Sequence, residues 1–497
     1  MLIDLLQAYK EERMMKMSFA EMLKEIENFV WGIPLLVIII TGGLMLTVRL
    51  KGIQLVRLPL ALKWMFSSEE GATGNVSSFG ALCTALSATI GTGNIVGVAT
   101  AICLGGPGAL FWLFIAGLLG LATKYAEGML AIKYRETAPD GHTYGGPFCY
   151  IEKGMGKKWK WLAKTFAICG ASASILGIGT FTQVNSISTA IIDFFCKDRE
   201  KIVSLPIVNE VSVYQVYVAV IAVVLTICVA LVLLGGIQRI ANVASFIVPF
   251  MAVTYIVFSV VLVVANIKVM PAAIATVIKG AFDPSAVTGG AVGSIFIAMQ
   301  HGISKGVFSN EAGLGSAPIA AAAAKAKEPV RQGLVTMNGA FITNIICLMT
   351  GLVLIATDAW KTGLQGFSVT RFAFTNGMSF LNEDVVSFIL SMSLVFFAFT
   401  TIIGWDYYAE SCVEYLSNGN QKAVKASKYI YIIAVFIGGF MTVDSVWTIA
   451  NIFNGVMALP NMIALFALSG IVVKDTKKFF AEKKHKKQSY RIGFTWR

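Results

Sequence analysis

Ser87-Ala88-Thr89-Ile90-Gly91-Thr92-Gly93-Asn94 interrupts an apolar run over 78–103. Ser309-Asn310-Glu311-Ala312-Gly313-Leu314-Gly315 interrupts a second over 286–324. Each run reaches the roughly 20 residues that a helix needs to cross a bilayer. Nine more apolar runs surround them, at 30–49, 108–132, 161–195, 212–234, 240–265, 331–356, 384–416, 428–442 and 445–473. The interrupted runs are therefore the second and seventh of eleven expected spans. They lie five spans apart, and five is odd, so the second five-span unit begins on the opposite side of the membrane. A broken helix at matching positions of two inverted halves points to the binding site of a secondary transporter. Packing glycines explain a single break equally well; a matched pair favours the site.

Composition agrees with a polytopic, all-α membrane protein. Of 497 residues, 56% are hydrophobic and 14% charged, against about 25% charged in soluble domains. The net charge of +12 sits in connections and a tail between apolar runs, which reads as membrane topology rather than as a nucleic-acid surface. Of the 40 Lys and Arg, 27 fall in odd-to-even connections and the C-terminal tail, and 11 on the opposite side. That bias places the C-terminus in the cytoplasm and the N-terminus outside. Residues 1–28 read as an interfacial amphipathic helix, without a signal peptide because Asp4, Glu11 and Glu12 interrupt them. The expected organisation is then an extra span at 29–50, inverted repeats at 78–265 and 286–473, and a basic tail at 474–497. The eight cysteines form no CxxC pair, and His142, His301 and His485 stand far apart. No metal beyond a transported sodium ion is expected, and no catalytic residue.

The breaks carry the chemistry. Backbone N–H groups at the start of one half-helix and carbonyls at the end of the other are free, and lipid satisfies neither. A substrate carboxylate and a cation do, helped by the half-helix dipoles. Asn94 adds a hard oxygen ligand of the kind an alkali cation takes. In the second break, Ser309 and Asn310 precede Glu311, an acid at membrane depth, which is by default a functional hypothesis. The structural reading is an internal ion pair with Lys305 or Lys124. Lys124 and Glu127 lie three apart on one helix face and are able to satisfy each other.

Four longer strings carry a family resemblance. They are Gly91-Thr92-Gly93-Asn94-Ile95-Val96-Gly97-Val98-Ala99, Leu104-Gly105-Gly106-Pro107-Gly108-Ala109, Gly145-Gly146-Pro147 through Tyr150-Ile151-Glu152-Lys153-Gly154, and Gly306-Val307-Phe308-Ser309-Asn310-Glu311-Ala312-Gly313-Leu314-Gly315-Ser316-Ala317-Pro318. In this order they resemble the sodium:alanine symporter family across nearly the whole chain. The resemblance implies a leucine-transporter-like core of five plus five spans with one extra span before it. It also implies sodium-coupled uptake of small neutral amino acids across a prokaryotic inner membrane. More remotely, Gly91-Thr92-Gly93-Asn94 is similar to the Gly-x-Gly-Asn break of neurotransmitter:sodium symporters. That likeness assigns the Thr92 and Gly93 N–H groups to a substrate carboxylate. It assigns the Thr89 carbonyl and Asn94 to one cation, and the Ser87 and Ile90 carbonyls to another. Ala88 and Thr89 stand where family members can carry an acid, which leaves the ligand for the substrate ammonium open.

Three further places qualify. Gln183 is polar within the fourth span, as in family members, or else packs against a neighbouring helix. Trp405 walls a side-chain pocket together with Phe308, or belongs to an interfacial aromatic belt with Tyr407 and Tyr408. Thr400 and Thr401 resemble the sodium-binding hydroxyl pair of the core, or else bond to their own helix. Alanine or glycine is the expected substrate, with glutamine or another neutral amino acid as the alternative. An ion channel fits less well, since channels repeat a filter by oligomeric symmetry.

Overall fold

The computed structural model describes residues 19–67, 69, 71–138, 141–196, 202–203, 211–282, 295–441 and 443–493, and they form a helical membrane protein. Eight helical stretches among them are long and apolar enough to cross a membrane: Glu21–Arg49, Gly108–Tyr134, Lys157–Phe195, Val213–Leu233, Gly236–Ala265, Pro329–Ala356, Glu383–Leu416 and Val446–Lys483. Counting long helices therefore does not return the expected eleven. The reason is local. Each interrupted run is divided into short helices, and Gln421–Gly438 begins with three lysines in its first eight residues.

In chain order, α1 (Phe19–Val30) and α2 (Ile33–Arg49) precede the first broken run, α3 (Ser78–Thr89) and α4 (Val96–Gly105). Ser77 caps α3 by accepting the Gly80 N–H at 2.9 Å, which satisfies one of the orphan donors of its first turn. Then come α5 (Gly108–Tyr134), α6 (Lys160–Leu176), α7 (Phe181–Phe195), α8 (Val213–Leu233), α9 (Gly236–Ala265) and α10 (Met270–Phe282). The second broken run is α11 (Ile295–Asn310) and α12 (Ala317–Ala322). It leads into α13 (Pro329–Ala356), α14 (Phe367–Gly377), α15 (Glu383–Leu416), α16 (Gln421–Gly438) and α17 (Val443–Gly493).

The fourth span was expected to be continuous over 161–195, yet α6 and α7 are separated at Gly177–Thr180. The Gly177-Ile178-Gly179 string permits the turn, and Tyr431 holds it by donating to the Gly179 carbonyl at 2.8 Å. Of the expected interfacial helix, residues 1–18 lie outside the described residues. The remainder, α1, packs on α17, where the Asn451 side chain donates to Glu27 and Trp31 donates to the Asn451 carbonyl at 2.8 Å. The expected tail from 474 continues α17 as helix to Gly493.

The centre is α5 packed along α13, with α11 beside it. Small residues set that distance. A Cβ on Gly117 of α5 would lie 2.2 Å from Asn344 of α13, and one on Gly302 of α11 would lie 2.4 Å from the Ala109 carbonyl. At the ends of α3 and α12 remote from the breaks, Arg135 ties both broken runs together. Its guanidinium donates to the Ala322, Ala324 and Ala326 carbonyls at 3.2, 2.7 and 2.8 Å, and to the Thr73 carbonyl at 3.0 Å. A parallel bridge between Val76 and Ala324 completes the joint.

Candidate functional site

The first break is lined with backbone donors that have no partner. Helix α3 ends at Thr89, Gly91 is extended, and Thr92–Asn94 form one tight 3-10 turn before α4. Among the described residues the Gly91 and Gly93 N–H groups and the Thr92 hydroxyl find no hydrogen-bond acceptor. The Thr92 N–H reaches only Gln183 Oε1, at 3.4 Å. All four residues are buried. These glycines cannot be replaced without collision: a Cβ on Gly91 would lie 2.5 Å from Thr401 Oγ1 and 3.3 Å from Gln183 Oε1. One on Gly93 would lie 2.8 Å from the Phe308 ring. Ser309 closes the contact between the two broken runs by donating to the Gly93 carbonyl at 2.9 Å. The fold thus brings Gly91, Thr92, Gly93, Gln183, Phe308 and Ser309 together.

An oxygen cluster adjoins this break. Thr401 Oγ1 lies 3.0 Å from the Ser87 carbonyl, 3.4 Å from the Ile90 carbonyl and 2.9 Å from the Phe397 carbonyl. One hydroxyl proton cannot serve three acceptors at once. The neighbouring Thr400 is not part of the cluster. Its hydroxyl bonds to the Phe396 and Phe397 carbonyls of its own helix and contacts Met251 Sδ at 3.6 Å, because consecutive helical residues point about 100° apart. The second expected cation pair is closed on itself: Asn94 Nδ2 donates to the Thr89 carbonyl at 3.1 Å, and the Cys347 thiol donates to Asn94 Oδ1 at 3.2 Å.

The second break is built differently. Glu311 adopts a left-handed conformation at φ 53°, with Gly313 and Gly315 at 89° and 80°. Several side chains around it bond to one another or to the freed backbone. Glu311 accepts from Ser316 at 2.5 Å and from the Trp405 indole at 3.1 Å. Asn310 turns inward to accept the Ala312 N–H at 2.9 Å. Glu127 accepts the Gly313 N–H at 3.1 Å and the Asn461 amide at 2.7 Å, and Asn461 also donates to the Gly313 carbonyl at 2.9 Å. Lys124 lies within electrostatic reach of both Glu311 and Glu127. Lys305 does not pair with Glu311. It sits above the Phe308 and Trp447 rings, 5.6 and 5.2 Å from their centroids, with Asn451 Oδ1 3.4 Å from its Nζ.

Trp405, Tyr407 and Tyr408 are buried, so the belt reading does not hold for them. Trp405 and Phe308 make separate contacts. Phe308 lies against Gly93 and stacks with Trp447, whereas the Trp405 indole donates to the Ala88 carbonyl at 3.3 Å and to Glu311, spanning the two breaks. Sequence reading missed Asn461, Cys347 and Tyr431, single polar residues in apolar helices whose partners lie far along the chain. It also missed the third interruption at Gly177–Thr180, which the paired glycines signal.

Comparison with known proteins identifies the family. Residues 15–492 match the model of the sodium:alanine symporter family. An uncharacterized transporter of Haemophilus influenzae is 48% identical over 467 residues, covering 93% of this chain and 97% of that protein. The sodium/alanine symporter AgcS of Methanococcus maripaludis is 43% identical over 472 residues, covering 93% and 98%. The crystal structure of MhsT in complex with L-phenylalanine superposes with a TM-score of 0.54 at 14% identity, covering 82% of this chain and all of that one, which shows a shared leucine-transporter-like fold. With matched breaks, a donor-lined glycine turn and full-length relatives, the chain belongs to the sodium:alanine symporter family and carries a small amino acid together with sodium across a membrane.

Proposed function

We propose that the first break binds alanine or glycine by its carboxylate, through the Gly91, Thr92 and Gly93 N–H groups and the Thr92 hydroxyl. The observation that carries this is the set of buried donors without acceptors at the start of α4. An unpaired buried donor costs about 1–3 kcal/mol; an incoming carboxylate removes that cost and gains from the half-helix dipole. Phe308 and Gln183 flank these donors and set the room for a small side chain. Sodium binds where Thr401 Oγ1 meets the Ser87 and Ile90 carbonyls, since a cation satisfies together the oxygens that one proton cannot. Thr401 and Gly91 are close enough for the ion and the amino acid to stabilise each other.

Two halves, at 78–265 and 286–473, then rock about this point, with Arg135 latching the cytoplasmic side. The lysine and arginine distribution supports a cytoplasmic C-terminus and an external N-terminus, and the relatives in Haemophilus influenzae and Methanococcus maripaludis support residence in a prokaryotic inner membrane. A glutamine-sized substrate is the alternative, and the volume beside Phe308 decides it. The test is radiolabelled uptake into proteoliposomes for alanine, glycine, serine and glutamine, with and without an inward sodium gradient. Sodium-dependent uptake of alanine and glycine, competed poorly by glutamine, is the expected result. Preferential glutamine uptake overturns the substrate, and uptake indifferent to sodium overturns the coupling.

A further inference from the structure

Beyond Trp405, helix α15 carries three carboxylates at four-residue intervals, Asp406, Glu410 and Glu414, which share one helix face. Their environments differ. Glu414 lies 2.8 Å from His142, and Glu410 lies 2.8 Å from Lys428, whose ammonium also donates to the Leu233 carbonyl at 3.0 Å. The Glu410 side chain keeps 17% exposure and Lys428 15%. Asp406 is wholly buried, and neither of its oxygens has a donor among the described residues. The group its carboxyl faces is another acid, Glu410.

The other titratable groups around it are few. Lys428 and Tyr431 come from α16, and Tyr407 lies beside Glu410 and Glu414 on α15. None of them donates to Asp406, because the Tyr431 hydroxyl is held by the Gly179 and Ile402 carbonyls at 2.8 and 2.7 Å. A buried, ionised and unpaired carboxylate is very costly. Two carboxyl groups facing each other fit together when one of them carries a proton, which lies between their oxygens.

We infer that Asp406 is a proton-binding site filled from the cytoplasmic side through Glu410, and that its protonation is required for sodium-coupled transport. The transfer balances. Glu410 takes a proton from water, passes it to an Asp406 oxygen, and returns to its ion pair with Lys428; loss runs the same steps backwards. Trp405 links the site to the breaks. It is the neighbour of Asp406 in the chain, and its indole ties Ala88 to Glu311. An ionised Asp406 would draw water or Lys428 inward and disturb α15 where Trp405 and Thr401 are held.

This goes beyond the proposed amino-acid site, and the two are separable by experiment. Sodium-driven alanine uptake is measured in proteoliposomes at fixed external pH while internal pH is raised from neutral to alkaline. The wild type loses rate with the slope of a single titrating group, whereas Asp406→Asn, a neutral isostere, keeps the neutral-pH rate throughout. Glu410→Gln provides a second variant with a displaced profile, should Asp406→Asn fail to fold. Infrared difference spectra supply a readout that needs no transport: the carbonyl band of a protonated acid disappears in Asp406→Asn. A wild-type rate independent of internal pH, variant profiles that overlay the wild type, or an unchanged infrared band overturns the inference. Absence of alanine uptake in every protein, with the band still lost in the variant, counts against the amino-acid site alone.

Discussion

Two interruptions at matching places in the chain solve the same problem in opposite ways. Between α3 and α4 the backbone turns through glycines and a threonine, and the Gly91 and Gly93 N–H groups stay unpaired. Between α11 and α12 the backbone turns through Glu311, Gly313 and Gly315, and side chains take up freed groups: Asn310 accepts the Ala312 N–H, Glu127 accepts the Gly313 N–H, and Asn461 donates to the Gly313 carbonyl. A broken helix inside a membrane needs partners for its freed groups. Where side chains supply them, the break is a fixed joint. Where they are withheld, the break keeps free donors, as the proposed carboxylate site requires. Trp405 connects the two, one indole N–H facing an acceptor from each.

The sharpest way to test this contrast is to block the open break. Gly93→Val sets a branched side chain against the Phe308 ring and Ser309 Oγ. Alanine binding in detergent should fall below detection, a loss on the order of 4 kcal/mol or more, while the size-exclusion profile stays that of the wild type. Retained wild-type affinity would remove the first break from the site. The opposite pattern belongs to the braced break. Glu127→Ala leaves the Gly313 N–H and the Asn461 amide without their acceptor. Thermal unfolding in detergent should show roughly 3 kcal/mol of lost stability, and the alanine affinity of the folded fraction should change little. If binding fails with no change in stability, the second break is also a ligand site.

A smaller effect separates two adjacent hydroxyls. Thr401→Ala removes the oxygen that meets the Ser87 and Ile90 carbonyls, whereas Thr400→Ala removes one that bonds to its own helix. Half-maximal sodium for alanine binding should rise about tenfold in the first, equivalent to about 1.4 kcal/mol, and stay within about twofold in the second. Because linkage is reciprocal, high sodium should restore alanine affinity in Thr401→Ala. Equal shifts in both variants would place the ion elsewhere, and the Asn94 and Thr89 pair would be next to examine. The smallest change concerns the link. Trp405→Phe keeps the ring and deletes the N–H, which should cost about 1 kcal/mol and slow sodium-driven uptake several-fold with little change in alanine affinity. A broadened substrate range in that variant would return Trp405 to the pocket wall.

Much of the site was legible because its chemistry is concentrated in short strings. Gly91-Thr92-Gly93 announces a turn inside an apolar run, and Ser87, Ile90 and Gln183 are near enough in sequence or span order to be placed beside it. What could not be read was the division of labour among polar residues that are neighbours in sequence but not in direction. Thr400 and Thr401 differ by one helical step, and Ser309 and Asn310 by another, yet only Thr401 and Ser309 face the open break. The choice between the two lysines offered for Glu311 was equally out of reach: Lys305 is six residues away in sequence but stands above Phe308, whereas Lys124, on another helix, lies within electrostatic reach of it.

By itself the sequence determined that this chain lives in a bilayer and that two of its spans are broken. These properties follow from additive transfer energies and from the absence of a Cβ at glycine, and both are local. Tertiary structure decided which break stays open. That depends on whether Glu127 and Asn461, from the third and last spans, reach the freed backbone groups or leave them bare. It also decided that Asp406 lies sealed against Glu410 while Glu410 keeps contact with water and Lys428. Hydrogen bonding is short-ranged and directional, so its outcome rests on packing distances that no residue fixes alone.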